Sequence, residues 1–126
     1  MKDDKGMGID KTELFQKNIE YPYSASEKRK MLILNNMNKL KKGMAKVDVI
    51  KLMTQPDEAN LTYKFKKAES DNVIGFSLAY ILRRDTDSGS AIEKNEQLLR
   101  IHFDNSEKLI WSYSQDVDEF NAIEKE

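Results

Sequence analysis

The chain has 126 residues, 39% hydrophobic and 34% charged, with a net charge of −1, which is material for one domain with one modest core and a well-solvated surface. It contains no cysteine, which excludes disulfides, thiolate metal sites and cysteine nucleophiles. No apolar run approaches the ~18 residues that span a bilayer, and the start Met1-Lys2-Asp3-Asp4-Lys5 does not read as a signal peptide.

Residues 1–23 read as a flexible N-terminal tail, with Gly6 and Gly8 among frequent charges and Pro22 holding an extended backbone between Tyr21 and Tyr23. A first helix is expected from Ser24 or Ser26, where Ser24 and Glu27 fit a capping box. Ile33, Leu34, Met37 and Leu40 give its apolar stripe. Gly43 is expected to stop it, and Lys39, Lys41 and Lys42 suit its negative C-terminal end. Val47, Ile50, Leu52 and Met53 form the apolar face of a second short helix that ends before Pro56.

Beyond Pro56 the period changes from 3.6 to 2. Leu61, Tyr63 and Phe65 alternate with polar residues as a half-buried strand, and Asp71-Asn72 is a turn. Val73 to Leu82 reads as a longer strand, in which Gly75 marks a bulge or a close backbone approach. Asp85 to Asn95 is a polar loop. Leu99, Ile101 and Phe103 alternate with Arg100, His102 and Asp104, the clearest strand in the chain. After a turn at Asp104-Asn105-Ser106, Leu109 to Tyr113 returns as a fourth strand. Residues 116–126 read as an acidic C-terminal tail with a short helix around Phe120 to Ile123. The expectation is one α+β domain over residues 24–115, with two short helices packed on one face of a four-stranded antiparallel sheet.

Charge is unevenly spread. Lys28 to Lys51 contains eight cations and one acid, Asp48, whereas Asp104 to Glu126 is mostly acidic. Lys39, Lys41, Lys42 and Lys46 are the candidate anion-binding residues, for an anionic membrane surface or an acidic partner, or else a solvated helix face. The acidic C-terminal segment weighs against nucleic acid. Arg100, His102 and Asp104 share one strand face, but one histidine with one nearby acid is a poor metal site. No carboxylate pair sits in an apolar setting that would separate two pKa values, and no G-x-S-x-G elbow or phosphate loop occurs. The residues therefore give no catalytic constellation and call for no cofactor or metal. Trp111 and Tyr113 form either a surface aromatic pair of the kind that anchors interfaces or, for Trp111, a lid on the core. Tyr63, Arg100, His102, Trp111 and Tyr113 are the candidate protein-binding residues.

Three stretches resemble the SmpA/OmlA family of small bacterial outer-membrane lipoproteins, whose wider group shares the fold of β-lactamase inhibitor protein. Gly43-Met44-Ala45-Lys46-Val47-Asp48-Val49 is similar to that family's G-M-[S/T]-x-x-[D/E]-V opening of the second helix, and Leu52-Met53-Thr54-Gln55-Pro56-Asp57 to its L-[L]-G-x-P-[D] exit. Leu99 to Asn105, followed by Lys108-Leu109, resembles its late hairpin. The resemblance covers roughly Leu34 to Ser114. Ala45 replaces the usual serine or threonine cap, Thr54 replaces the usual glycine, and the lipid-bearing cysteine is not in this chain.

The resemblance implies a non-enzymatic lipoprotein on the periplasmic side of a bacterial membrane, whose domain binds another protein in a scaffold or assembly role. The alternative expectation is a small inhibitor or immunity protein that binds an enzyme or toxin one-to-one, with the cytoplasm as the alternative location.

Overall fold

The structure, a computed structural model, describes residues 15–16, 22–63, 73–84 and 96–125. In chain order the elements are strands β1 (Phe15–Gln16) and β2 (Tyr23–Ser24), helix α1 (Glu27–Asn36), a 3-10 turn (Met37–Lys39), helix α2 (Lys46–Met53), and strands β3 (Glu58–Tyr63), β4 (Val73–Arg84), β5 (Gln97–Asp104) and β6 (Leu109–Gln115). The fold is α+β. Its antiparallel sheet is ordered β1-β3-β4-β5-β6, and β2 pairs with the last residues of β4.

Strands β3 to β6 are the four that alternation predicts. Two further strands come from the region read as a tail: Phe15 pairs with Ala59, and Tyr23 with Arg84. Those parts of residues 1–23 belong to the sheet because their backbone groups complete its ladder. The remainder of that segment as far as Tyr21, Phe65, the Asp71-Asn72 turn and the Asp85 to Asn95 loop lie outside the described residues.

Ser26, not Ser24, caps α1, its hydroxyl accepting from the Arg29 N–H at 3.2 Å. The helix stops at Asn36, well before Gly43. There the Asn36 side chain donates to the Leu52 carbonyl of α2 at 2.9 Å, and the chain tightens into the 3-10 turn Met37–Lys39 before Leu40 becomes extended. Lys39, Lys41 and Lys42 therefore lie past α1 and do not face its negative end. Ile33, Met37 and Leu40 are buried as expected, while Leu34 is 39% exposed. Gly43 instead makes the turn into α2 with φ 88°, and its N–H donates to Leu109 at 2.7 Å. Helix α2 buries Val49 and Met53 and exposes Val47. Ala45 occupies its cap position with no side-chain bond.

Both helices feed one core. Ile33, Met37, Leu40, Val49 and Met53 join Phe76, Leu78, Tyr80 and Leu82 of β4 and Leu99, Ile101 and Phe103 of β5. Gly75 crosses so close to β5 that a Cβ there would fall on the Phe103 carbonyl, and the β3–β4 register shifts beside it. Sequence and structure agree at this position, because only glycine permits that approach.

The segment from residue 116 onward is not a tail. Val117 and Phe120 are buried in the core. The Asn38 side chain donates to the Glu119 carbonyl at 2.8 Å and accepts from the Asn121 N–H at 2.7 Å. Ser112 N–H donates to Ile123 O at 2.9 Å, and Ile123 N–H to Ser112 Oγ at 3.0 Å. These bonds tie an extended strap along the outer edge of β6, and residues 120–123 carry no helix.

One edge of β4 is shared by β3 and β2, which leaves a gap at Ile81. The Asp57 carboxylate fills it. Asp57 is fully buried, accepts from the Ile81 N–H at 2.7 Å and pairs with the Arg29 guanidinium at 3.0 Å. Arg29 also donates to the Gln55 carbonyl at 2.9 Å and lies over the Tyr80 ring. Replacing Asp57 by alanine leaves a buried N–H and a largely buried cation uncompensated, with an expected loss of about 3–5 kcal/mol. Asp57→Asn retains an acceptor for Ile81 and loses less. Urea unfolding midpoints of the two variants check the order.

Candidate functional site

Along β5, Leu99, Ile101 and Phe103 point into the core, so Arg100 and His102 project from the other face. The β5–β6 register sets Tyr113 opposite Arg100 and Trp111 opposite His102. The structure thus brings together four of the five residues expected to bind protein. Tyr63 ends β3, which β4 separates from β5, and its side chain lies outside the described residues.

Trp111 does not close the core. Its ring stacks on His102, with centroids 4.1 Å apart and planes 6° from parallel. Tyr113 stacks beside it at 5.4 Å and 21°. Tyr113 is exposed, whereas Trp111 and His102 are half-buried. Arg100 reaches across to β4, donating to the Ser77 hydroxyl at 3.4 Å. On this same face of β4, Ser77, Ala79 and Ile81 are buried, while Asn60 of β3, which pairs with Ser77, is exposed beyond them.

Two cations, Arg100 and Lys125, lie near the rings, and Asp104 places an acid farther along the same face of β5. Burial first, then the Arg100 and Lys125 charges, lower the His102 pKa to about 4, so the imidazole is neutral at pH 7. Its Nδ1 is buried with no hydrogen-bond partner among the described residues. The Lys125 ammonium lies over the Trp111 ring, 5.5 Å from its centroid, at a distance suited to cation–π attraction.

The four candidate anion-binding lysines separate. Lys39, Lys41 and Lys42 are exposed. Lys46 is buried, with its ammonium 5.5 Å from the Phe76 ring centroid, because α2 turns its first residue inward against the sheet. Lys46 is therefore not a surface anion contact. Lys42 lies instead beside Ile110, Trp111 and Lys125.

Sequence reasoning passed over Lys125, which sits among acidic residues, and a buried cluster in which Arg84 pairs with Glu58 at 2.7 Å and with Glu96. A β-bulge after Ile81 makes this cluster by bringing Arg84 onto the face of Ile81. Neither is marked by local spacing. Among the described residues, no group of three or more histidine, aspartate or glutamate side chains gathers as a metal site, and no helix is long and apolar enough to cross a membrane. Searches against protein-family models, curated proteins and solved structures gave no match to this chain.

The arrangement sets a neutral imidazole and two stacked rings beside cationic groups. A histidine whose folded pKa is depressed takes up a proton more readily when unfolded. Stability contributed by neutral His102 is thus fully present above pH ~6.5 and is lost as pH falls toward 4. NMR titration of the single imidazole is expected to give a midpoint near 4 in the folded protein, and His102→Phe to flatten the loss of stability between those values.

Proposed function

We propose that this chain is a non-catalytic protein that binds another protein through the aromatic and basic surface of β5 and β6. The observation that carries this reading is the Arg100, His102, Trp111 and Tyr113 cluster, held in fixed geometry on the sheet face away from the core residues. Stacked rings on a sheet lose little side-chain entropy on binding, and tryptophan, tyrosine and arginine are the usual anchors of interfaces.

We further propose that the domain is of the SmpA/OmlA type, with its two short helices on one face of the sheet, and that it works as a lipid-anchored envelope protein in a scaffold or assembly role. One backbone feature supports the resemblance. Thr54 adopts φ 69° and ψ −175°, a region occupied almost only by glycine, at the position where that family has glycine. The core packs over this residue, since the Tyr80 hydroxyl donates to the Thr54 carbonyl at 2.7 Å.

The test is a photo-crosslinking amino acid placed at Tyr113 in cells of the native organism, with Val47, 58% exposed on α2, as the comparison position. Crosslinking to one defined protein from position 113 alone is expected, and Trp111→Ala is expected to weaken it by about 2 kcal/mol or roughly 30-fold. Recovery of that partner in the membrane fraction supports the envelope role. A soluble one-to-one complex with an enzyme or toxin selects the inhibitor reading instead. Equal crosslinking from both positions, or none from 113, overturns the proposed surface.

A further inference from the structure

Helix α1 leaves most of its apolar side chains outside the fold. Of its 10 residues only Ile33 is buried, while Met31 is 59% exposed and Leu32 and Leu34 are each 39% exposed. A single exposed leucine is ordinary. Three large apolar residues so close together on one short helix form a patch, and exposed patches mark contact sites. Cations are interleaved with this one. Lys28 stands one turn from both Met31 and Leu32, and Lys30 one turn from Leu34. Lys28 is exposed and Lys30 half-buried, and the exposed Lys39 and Lys41 follow the helix. From Glu27 to Lys41 the one acid is Glu27 itself. Glu119 of the strap approaches at Asn38, past the end of α1.

We infer that α1 lies on an anionic lipid bilayer, with Met31, Leu32 and Leu34 in the headgroup layer and the Lys28 and Lys30 ammonium groups on lipid phosphates. This goes beyond the proposed function, because it uses a different surface. Basic side chains beside a bilayer are drawn to anionic headgroups. Lysine suits the interleaved pattern, since its stem lies along apolar groups while its ammonium stays in the polar layer. Ile33 enters the core, whereas Arg100 and His102 project from the other face of the sheet. A chain resting on a bilayer by α1 therefore turns the rings of β5 and β6 toward water, where a partner protein reaches them.

A protein partner fits α1 less well. Protein interfaces are enriched in aromatic residues and arginine and depleted of lysine, which describes the β5–β6 cluster and not this helix. Arg29, the one arginine of α1, is paired with Asp57. A second copy fits less well too, because a two-fold contact sets the same basic face against itself. Nucleic acid is held through phosphates by cations alone and leaves the exposed Met31, Leu32 and Leu34 without a role.

The chain has no cysteine, so an environment-sensitive fluorophore goes to one chosen position of the full chain. Asn35→Cys places it on the exposed side of α1, and Tyr113→Cys provides the comparison. The probes are vesicles of phosphatidylcholine alone and of phosphatidylcholine mixed with phosphatidylserine. A blue shift at position 35 and none at 113 is expected with the mixed vesicles, and no shift at either with phosphatidylcholine. Vesicle flotation of the unlabelled chain gives the affinity. Joint Lys28→Gln and Lys30→Gln substitution is expected to weaken it roughly 30-fold, about 5-fold for each lysine. Joint Met31→Ser and Leu32→Ser substitution is expected to weaken it at least ~10-fold. Circular dichroism of both variants is expected to match that of the parent chain.

No binding to the mixed vesicles, or equal binding to both kinds, overturns the inference. So does a shift at 113 in place of 35, or unchanged affinity in the serine variant, which marks a loose polyanion contact. Tighter binding of oligothymidylate or of a polyglutamate peptide, lost on the same lysine substitutions, overturns it as well. Vesicle failure with crosslinking at position 113 intact rejects the bilayer contact and leaves the β5–β6 surface standing. Vesicle binding without that crosslink does the reverse.

Discussion

The fold depends on a carboxylate at a place where the sheet runs out of backbone. Strand β4 needs partners along both edges, and on one of them β3 and β2 together fall short at Ile81. A buried amide left there without an acceptor costs on the order of 1–3 kcal/mol. Asp57 supplies the acceptor, and its charge then requires a buried cation, which Arg29 provides from the first turn of α1. One side chain thereby fixes where β3 begins, how α1 sits over the sheet and how the Tyr80 ring is oriented beneath the guanidinium. Burial is the main cause of the raised Tyr80 pKa, with Asp57 adding to it and Arg29 opposing it.

The same sheet divides its labour by face. The core side is aliphatic and phenylalanine-rich, with Phe76 and Phe103 stacked at 4.9 Å. The other side carries Arg84 between two glutamates at the end of β4 and the His102, Trp111 and Tyr113 stack at β5 and β6. Ion pairs as buried as that of Arg84 add geometric constraint more readily than net stability.

How much of this the sequence discloses depends on the range of the interactions. Leu99, Ile101 and Phe103 reveal β5 because every second side chain meets the same core. The end of α1 at Asn36 is hidden, because the apolar stripe runs on through Met37 and Leu40, which stay in the core after the α-helix has given way to a 3-10 turn. Alternation alone places Trp111 on the same face as Leu109, and the extra residue Ile110 reverses that parity. Val117 and Phe120 stand alone among acidic neighbours, with no period to betray that they reach the core. The aromatic and basic residues of the candidate surface are thus readable as residue types, while their convergence is a product of register. Lys46, read as a surface cation, is turned inward by the orientation of α2.

The clasp between Asn38 and residues 119–121 joins positions as much as 83 apart in the chain. Contacts of that separation are late and slow to form, since a long loop must close before any of them is rewarded. During synthesis the N-terminal helices emerge first, but the core lacks Val117 and Phe120, and the β6 edge lacks Ile123, until the last part of the domain has left the ribosome. Until then the outer edge of a hydrophobic strand is open to neighbouring chains. Closing that edge falls to the last residues described, so a chain cut before Val117 would keep an open strand edge and an incomplete core.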